Sequence, residues 1–328
     1  MIVTLTTNPS LDRTIELARA LDRGEVQRAS ATHEQPGGKG VNVSRALLAS
    51  GLPTLAVLPG ATDDPFVVAL LAERIPTAAL PIAGRVRSNV TLTEPDGTTT
   101  KINEPGPTLD AADEAALVEL VVTRSAGADW LVLAGSLPPG LSPDFYATVV
   151  RAVRAAAAIG TDAARAPRIA VDSSGLPMAA LIASGSGVDL VKPNAEELAE
   201  LTGHTDPAAL EADPAATLLA AQTLLDAGCG AVLATLGSKG AVLATRDGAW
   251  LATMPPIVPR STVGAGDSSL AGYLHADTHG ATAPERLAQA VAHGAAAASL
   301  PGSTMPSADQ THPEAADIRP LSPITADH

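Results

Sequence analysis

The sequence predicts an α/β protein in which a mainly parallel central sheet lies between two helical layers, with a small second β layer. Short runs rich in Val, Ile and Leu alternate with longer Ala/Leu-rich runs over the 328 residues, as in βα units of a parallel sheet. Two segments, 13–34 and 87–104, interrupt this alternation with mixed and charged sequence. Aromatic residues make up only 2% of the chain, against 46% apolar residues, so the core must be largely aliphatic.

The strands and helices follow from these runs in chain order. Strands are predicted at 2–6, 54–58, 130–133, 169–171, 190–192, 231–235 and 241–245. Helices are predicted at 41–50, 65–73, 112–125, 143–157, 195–201, 217–227, 267–276 and 284–299. Two starts are best defined, because Asp64 and Ser142 each place a capping oxygen before a proline at the first helical position.

The remaining segments set the predicted domain limits. Residues 94–97, Glu-Pro-Asp-Gly, are typical of a β-hairpin turn. The stretch 160–168 is predicted to be a loop. The segment from Pro301 onwards carries five prolines and little apolar periodicity, so we expect a body at 1–303 and a partly disordered tail at 304–328, with no catalytic part.

Charge and cysteine content exclude several classes of function. The formal net charge of −14 argues against a general affinity for nucleic acid or an anionic membrane, since both require a basic surface. A single cysteine, Cys229, excludes an intramolecular disulfide and any Cys-clustered metal site. The N-terminal residues lack the basic segment and cleavage site of a signal peptide. The sequence also contains no run of roughly 18 apolar residues that could span a bilayer. We therefore expect a soluble cytoplasmic protein.

Two glycine-rich turns lead into helices and carry the chemistry. In residues 36–43, Pro-Gly-Gly-Lys-Gly-Val-Asn-Val, backbone N–H groups, a helix N-terminus and Lys39 form a pattern suited to an anion. A plain turn with a solvated lysine is the alternative. In residues 261–268, Ser-Thr-Val-Gly-Ala-Gly-Asp-Ser, Asp267 follows small residues at a helix start. It could serve the helix dipole or act as base in phosphoryl transfer to an alcohol.

Two further patterns are weak when taken alone. Asn194 and Glu197 lie three residues apart, so both could face a hydrated Mg²⁺, but Asn-x-x-Glu is also an ordinary capping box. Residues 235–240, Thr-Leu-Gly-Ser-Lys-Gly, could form a simple hairpin.

The four patterns together resemble the ribokinase-like (PfkB) carbohydrate kinases over residues 1 to about 303. The stretches 7–12, 87–90, 93–98, 100–107 and 135–140 are most similar to the 1-phosphofructokinases, and tagatose-6-phosphate kinases and minor 6-phosphofructokinases share much of this set. The resemblance implies a three-layer α/β/α sandwich with a β-sheet lid formed by about 13–35 and 87–104. It also implies a homodimer paired through that lid.

The resemblance further implies roles for particular residues. Asp267 would be the general base, and the N–H groups of Gly264, Ala265 and Gly266 would bind the γ-phosphoryl group. The sugar hydroxyls would contact Asp12, Gly38 and Asn42, and the substrate's own phosphate would contact Lys39, Arg87, Ser136 and Arg28. ATP would contact Lys192, Asn194, Thr235, Gly237, Gly240 and Gly294, with Glu197 holding Mg²⁺ through water. A lid salt bridge for Arg87, turn capping for Asp12 and backbone capping for Ser136 are the structural alternatives, and we expect His293 to be a packing residue.

The implied reaction is ATP-dependent phosphorylation of D-fructose 1-phosphate at O6, giving fructose 1,6-bisphosphate. Tagatose 6-phosphate or fructose 6-phosphate, attacked at O1, are the alternative acceptors. From other classes, a non-catalytic sugar-phosphate sensor conflicts with the presence of Asp267 and the complete Gly-Ala-Gly. A nicotinamide-dependent dehydrogenase conflicts with the lack of a Gly-x-Gly-x-x-Gly after the first strand.

Overall fold

The structure is a computed structural model that describes residues 1–159 and 166–322. The strands in these residues are β1 (Ile2–Thr6), β2 (Ser10–Leu17), β3 (Ala29–Gly37), β4 (Thr54–Pro59), β5 (Thr77–Leu80), β6 (Arg87–Thr93), β7 (Thr99–Asn103), β8 (Trp130–Ala134), β9 (Arg168–Asp172), β10 (Leu190–Val191), β11 (Ala231–Thr235), β12 (Ala241–Thr245), β13 (Gly248–Thr253) and β14 (Asp317–Leu321). The helices are α1 (Lys39–Ala49), α2 (Pro65–Ala72), α3 (Ala111–Ser125), α4 (Phe145–Ile159), α5 (Gly175–Ala183), α6 (Ala195–Thr202), α7 (Pro207–Ala212), α8 (Pro214–Asp226), α9 (Ala265–Thr278) and α10 (Ala283–Ala298). Short 3₁₀ turns occupy Gly237–Lys239, Ala308–Gln310 and Pro313–Ala315.

Ten strands form the central sheet, in the order β14-β13-β12-β11-β10-β9-β8-β1-β4-β5. All pairs from β11 to β5 are parallel, whereas β12, β13 and β14 are added antiparallel at one edge. The chain extends from β1 outward in one direction to β5 and later returns to β8 on the other side. This reversal between β1 and β8 is a topological switch point, where open α/β sheets bind ligands at the carboxyl ends of their strands.

Alternating side chains bury the two faces of this sheet against different helices. On one face, Val3, Leu131 and Leu133 belong to a core shared with α3 to α8. On the other, Ile2, Trp130 and Val132 pack with α1, α9 and α10, while α2 covers the β4 end through Phe66 and Leu70. The predicted mainly parallel three-layer arrangement is therefore confirmed.

The two segments that interrupt the α/β alternation form a separate four-stranded sheet, in the order β3-β2-β6-β7, which we call the lid sheet. The β2–β3 and β6–β7 pairs are antiparallel, and β2 lies parallel to β6. The predicted turn at 94–97 joins β6 to β7, with Gly97 N–H donating to the Glu94 carbonyl at 3.0 Å. The predicted second β layer is confirmed.

Local signals explain several boundaries. The predicted cap Asp64 accepts a hydrogen bond from Phe66 N–H at 2.9 Å. Helix α4 begins at Phe145 rather than at the predicted Pro143, because residues 142–145 form a turn in which Phe145 N–H donates a hydrogen bond to the Ser142 carbonyl. Strands β5 and β13 and helices α5 and α7 occur where the sequence predicted no element; these are short, and brief apolar runs are ambiguous without their partners.

The C-terminal segment differs from its prediction over the described residues. Instead of partial disorder, residues 317–321 form β14, which pairs antiparallel with β13 from Asp317↔Thr253 to Leu321↔Ala249. Of the five residues of β14, only Ile318 and Leu321 pack against the core. Because so few of its side chains are apolar and buried, this edge strand shows little apolar periodicity in the sequence. Residues 160–165, in the predicted loop, and 323–328 lie outside the described residues. Among the described helices, none combines the length and apolarity that crossing a bilayer requires.

Candidate active site

The site lies at the carboxyl ends of the central strands, around the switch point between β1 and β8. The first turns of α1 and α9 meet there, joined by a hydrogen bond of 2.8 Å from Asn42 Nδ2 to Asp267 Oδ2. Asp172, the last residue of β9, and Lys192, which follows β10, lie at the same edge. Residues that are distant in sequence are thus brought together by the parallel sheet and the two helix N-termini.

Asp267 lies in the first turn of α9 and is only 7% exposed. Burial, followed by the nearby charge of Asp172, raises its pKa from 3.8 to about 6. The Asn42 amide and the ammonium groups of Lys192 and Lys39 oppose this rise by favouring the charged form. A carboxylate with a pKa close to neutrality can accept a proton and release it again, as a general base must.

The backbone before Asp267 is shaped as an anion site. Gly264 has a φ of 76°, in the left-handed region, and begins α9 without a side-chain cap. In the part of the chain that the structure describes, no acceptor takes the N–H groups of Gly266 and Asp267. Unpaired N–H groups at a helix N-terminus attract negative charge. Met305 packs over Gly264, where a built Cβ would lie 2.4 Å from its Cε.

Asp172 is a residue that the sequence analysis missed. Its side chain is fully buried, and Lys39 Nζ lies 2.7 Å from Oδ1 while Lys192 Nζ lies 2.9 Å from Oδ2. Burial alone would raise the pKa of Asp172, but the two ammonium groups hold it below its ordinary value. The signal was available, because a carboxylate that directly follows a buried parallel strand lies at the ligand-binding edge.

Glycines bring the first turn of α1 close to β1. Gly38 has a φ of 120°, and a Cβ there would lie 2.8 Å from Thr6 Cγ2. A Cβ on Gly40 would lie 2.5 Å from Thr6 Oγ1 and 3.0 Å from the Leu5 carbonyl oxygen. Larger residues would push α1 away from the strand, so these glycines serve backbone approach and thereby position Lys39 and Asn42.

The predicted sugar site lies on one face of the lid sheet. Asp12 Oδ1 accepts hydrogen bonds from Ser10 Oγ at 2.7 Å and from Asn89 Nδ2 at 3.0 Å. Arg87 is half-buried near Asp12: burial lowers the pKa of its guanidinium, and Asp12 partly offsets this. Arg87 Nη1 donates to the Glu104 carbonyl at 3.1 Å, and its buried Nε has no partner within the described residues.

A cavity of about 360 Å³ adjoins Arg87, and its lining includes Arg85, Glu104 and Gly106. Ser136 follows β8 and is exposed. Its backbone carbonyl accepts a hydrogen bond from Thr7 Oγ1 at 2.9 Å, and this bond does not use the Ser136 hydroxyl. Arg28 is exposed on the segment before β3. The structure thus brings Asp12 and Arg87 together.

The first of the residues predicted to bind the nucleotide are Lys192 and, two positions later, Asn194. Asn194 and Thr235 form an isolated parallel bridge. Asn194 and Glu197 form a reciprocal capping box at the start of α6, with bonds of 2.8 and 2.9 Å. Glu197 Oε1 also lies 3.5 Å from Lys39 Nζ. The capping-box alternative is therefore correct for the local structure. The same capping box also directs Glu197 toward Lys39.

Among the predicted nucleotide-binding glycines, at least two have a packing role. A Cβ on Gly240 would lie 2.0 Å from the Ala252 carbonyl oxygen, and one on Gly294 would lie 2.3 Å from Ser269 Oγ in α9. Gly237 is exposed at the start of its 3₁₀ turn. His293 is fully buried, with Nε2 3.2 Å from Ser50 Oγ, as expected for a packing residue.

An apolar cleft of about 220 Å³ opens beside the last turns of α10. It is lined by Met254, Ile257, Ala292, Ala295, Ala296, Ser299, Leu300, Gln310 and His312. The C-terminal segment therefore contributes to a cleft near the site, although the sequence assigned it no part there.

The donor set matters for Mg²⁺. Within residues 1–159 and 166–322, no three His, Cys, Asp or Glu side chains are grouped to hold a metal ion. Asp172 has an ammonium group on each of its oxygens, whereas Glu197 keeps lone pairs toward the cluster. These residues fit a magnesium ion that arrives on the nucleotide and contacts the protein through water, because Mg²⁺ usually keeps several waters and substrate phosphates as ligands.

Comparison with known proteins agrees with this geometry. A 1-phosphofructokinase of Xanthomonas campestris is 35% identical over 88% of this chain and 87% of its own length. An ATP-dependent 6-phosphofructokinase isozyme 2 of Escherichia coli is 32% identical over 94% and 96%. The crystal structure of phosphofructokinase-2 from Escherichia coli in complex with potassium superposes with a TM-score of 0.83, at 30% identity over 94% and 96% of the two chains.

The fold is thus ribokinase-like, and the buried Asp267 carboxylate lies in the first turn of a helix. The family described as pfkB family carbohydrate kinase matches residues 5–310. The chain belongs to the pfkB family of carbohydrate kinases and is an ATP-dependent phosphosugar kinase.

Proposed function

We propose that the enzyme transfers the γ-phosphoryl group of ATP to O6 of D-fructose 1-phosphate, giving D-fructose 1,6-bisphosphate and ADP. The O6–H bond breaks and its proton goes to Asp267. O6 forms a bond to Pγ, and the bond between Pγ and the bridging oxygen breaks with its electron pair leaving on ADP. The observation that carries this proposal is the Asp267 carboxylate, buried at the N-terminus of α9 and held by Asn42 at 2.8 Å.

Asp267 and the turn before it have complementary roles. A pKa of about 6 keeps the carboxylate mostly ionised at neutral pH and still basic enough to take the hydroxyl proton. The unpaired N–H groups of Gly266 and Asp267 would receive the charge of the transferred group in a partly desolvated site, where fixed dipoles act strongly. The predicted contribution of Ala265 is not available in this structure, because its N–H donates to the Thr262 carbonyl at 3.3 Å.

The sugar would bind between α1 and the polar face of the lid sheet. Asp12 is fixed by Ser10 and Asn89 and offers its remaining lone pairs to sugar hydroxyls. Arg87 and Ser136 would bind the substrate's own phosphate, and within the described residues the buried Arg87 Nε has no other partner. A guanidinium is well suited to phosphate because its donors match two oxygens at once.

The nucleotide would extend from the α9 N-terminus toward the apolar cleft beside α10. The lining of that cleft by Ala295 and Leu300 suits an adenine ring. Lys192, Asn194, Thr235, Gly237 and Gly240 would contact phosphates and ribose, and Glu197 would hold Mg²⁺ through water. The magnesium ion, when bound, would neutralise phosphate charge and orient the triphosphate.

Fructose 1-phosphate is favoured over other acceptors by the segment after β7. Glu104 uses its carbonyl to orient Arg87 and its carboxylate to accept Ser88 N–H at 2.8 Å. This residue belongs to the stretch 100–107, which is most similar to 1-phosphofructokinases, and relatives of that name reach 34–35% identity.

The test is ADP release by the purified enzyme with MgATP and separate acceptors: fructose 1-phosphate, fructose 6-phosphate, tagatose 6-phosphate and unphosphorylated fructose, ranked by kcat/KM. We expect fructose 1-phosphate to rank first. If fructose 6-phosphate or tagatose 6-phosphate ranks first, the acceptor assignment is wrong and the kinase class stands. If none of these sugars stimulates ADP release, the proposed reaction is wrong and the sugar-phosphate sensor becomes the leading hypothesis.

The outer face of the lid sheet carries the proposed dimer contact. Strand registers place Leu11, Ile15, Val90, Leu92 and Ile102 on the face opposite to Asp12 and Asn89. Ile102 is 57% exposed, although an apolar sheet face of this kind is usually covered. We propose that the lid sheets of two subunits cover each other, and that this homodimer acts in the cytoplasm.

A further inference from the structure

Two lysines share one buried carboxylate at the centre of the site. Lys39 lies 2.7 Å from one oxygen of Asp172 and Lys192 lies 2.9 Å from the other. The Asp172 side chain is completely buried and that of Lys192 is 4% exposed, but that of Lys39 is 35% exposed. Lys39 is therefore the member of this trio that a ligand can reach most directly.

The two ammonium groups flank Asp172 on different sides. Lys192 Nζ would lie 3.3 Å from a Cβ built on Gly266, so it faces the N-terminus of α9. Lys39 Nζ lies 3.5 Å from Glu197 Oε1 and so faces the start of α6. Asp172 and Glu197 together balance the charge of both ammonium groups. The second ammonium therefore adds a positioned donor to the cluster rather than a surplus of positive charge.

The position of Asp267 locates the charge of Lys39 relative to the substrate. Asn42, in the same first turn of α1 as Lys39, donates to Asp267 at 2.8 Å. Lys192, which shares Asp172 with Lys39, lies against Gly266, the residue before Asp267. The hydroxyl that gives its proton to Asp267 is the atom that receives the phosphoryl group. In a hexose phosphate the existing phosphate lies at the opposite end of the sugar, so a cation beside Asp267 is close to the transferring group rather than to that phosphate.

We propose that Lys39 acts on the phosphoryl group during its transfer, and that Asp172 is the positioning residue which holds the Lys39 ammonium there. This rests on the proposed kinase mechanism and deepens it. The resemblance to the family placed Lys39 on the substrate's own phosphate, a role that we assign to Arg87 instead. As charge spreads over the oxygens of the transferring group, a fixed ammonium stabilises the transition state more than the bound substrates.

Asp172 makes this effective because a lysine stem is flexible. Four rotatable carbon–carbon bonds let an unanchored ammonium sample many positions, and ordering it costs side-chain entropy. The bond to Asp172 orders Lys39 before substrates bind. A preorganised charge needs no rearrangement when the reaction occurs.

The experiment compares Lys39→Met with Arg87→Met in steady-state kinetics, using whichever phosphosugar the wild-type enzyme turns over fastest. We expect Lys39→Met to lower kcat by at least ~10²-fold while the KM for the phosphosugar stays within about threefold. Arg87→Met, the matched control, should instead mainly raise that KM. A raised phosphosugar KM with near-normal kcat in Lys39→Met would place Lys39 on the substrate's own phosphate and overturn the proposal.

Chemical rescue and coupling separate this role from a structural one. Ethylammonium added to Lys39→Ala should restore part of kcat, because the side chain opens to solvent. Lys39→Met and Asp172→Asn should be strongly non-additive in kcat, since the second change removes what holds the first. Absence of rescue in the folded variant, or additive losses, would contradict the proposal. Because the assay uses the preferred phosphosugar, a wrong acceptor assignment leaves this test intact.

Discussion

The ionisation of Asp267 depends on neighbours that act in opposite directions. Its carboxylate is 7% exposed and lies near the Asp172 carboxylate, yet one amide and two ammonium groups support its ionised form. The result is a pKa of about 6. This intermediate value links the local structure to both the pH dependence of catalysis and the stability of the fold.

Replacement of Asp267 by Asn is expected to reduce kcat by at least ~10²-fold, because the base is lost while the shape and the contact to Asn42 can be kept. In the wild type, kcat should fall about tenfold per pH unit below pH ~6, where the carboxyl is protonated. The measurement is kcat against pH for both proteins. Near-normal turnover in the variant would remove Asp267 from the role of base.

The same substitution should stabilise the protein at alkaline pH. The carboxyl pKa rises from 3.8 in the unfolded chain to about 6 in the fold, so the folded state binds more protons between these values and stability decreases as pH rises through them. The Asp267→Asn variant does not lose this stability. At pH 8 its free energy of unfolding, measured in denaturant, should exceed that of the wild type by on the order of 1 to 3 kcal/mol. The difference from wild type should shrink toward pH 4, and an equal difference at both values would contradict the assignment.

At the scale of elements, the crossing of α9 and α10 determines where Asp267 stands. Gly272 and Gly294 both allow close approach: a Cβ on Gly272 would lie 2.5 Å from the Gln289 carbonyl oxygen, and one on Gly294 would lie 2.3 Å from Ser269 Oγ. The predicted helix at 284–299 agrees with α10. The sequence reasoning placed Gly294 at the nucleotide, whereas its contact with α9 explains the glycine by packing.

Gly294→Ala should therefore destabilise the protein by about 1 to 3 kcal/mol, as overpacking in a core does. Ser269→Ala removes the hydroxyl that the new methyl would meet, leaving Ser269 Cβ 3.7 Å away. The double variant Gly294→Ala, Ser269→Ala should return to near wild-type stability in thermal unfolding. If the double variant were as unstable as the single one, the contact would not be the cause.

At the scale of the whole molecule, the two faces of the lid sheet differ. One face carries Asp12 and Asn89, and the other carries Ile15, Leu92 and Ile102 together with the Arg13–Glu34 ion pair. In the proposed arrangement, this division would let one sheet contact a sugar on one side and a second subunit on the other. The sequence indicated a β layer here, but the strand registers alone show which residues lie on the same face of the sheet.

A charge on the outer face should separate the subunits. Ile102→Glu is expected to shift the enzyme from dimer to monomer in sedimentation velocity, because it places carboxylates in an apolar contact. Lys101→Gln, in the same strand but on the other face, is the control and should keep the wild-type state. A dimeric Ile102→Glu variant would show that the subunits meet elsewhere.

The layered α/β class, most of the long helices and the two glycine-rich turns could be predicted from the sequence, because they depend on local periodicity and on residues that are neighbours in the chain. It also predicted Asp267 as the candidate base, through its place after Gly-Ala-Gly at a helix start and the family resemblance. Short strands such as β5 and β14 were not predicted, since pairing with distant strands stabilises them more than their own composition does.

Only the tertiary structure decided how the charges are grouped. Asp172 and Lys39 are distant in the chain, and the parallel sheet brings them to 2.7 Å because its strands end at one edge. Burial then determines what each charge does: it raises the pKa of Asp267 to about 6, while two lysines keep Asp172 ionised. Such pairings and desolvation depend on three-dimensional proximity, which no run of adjacent residues encodes.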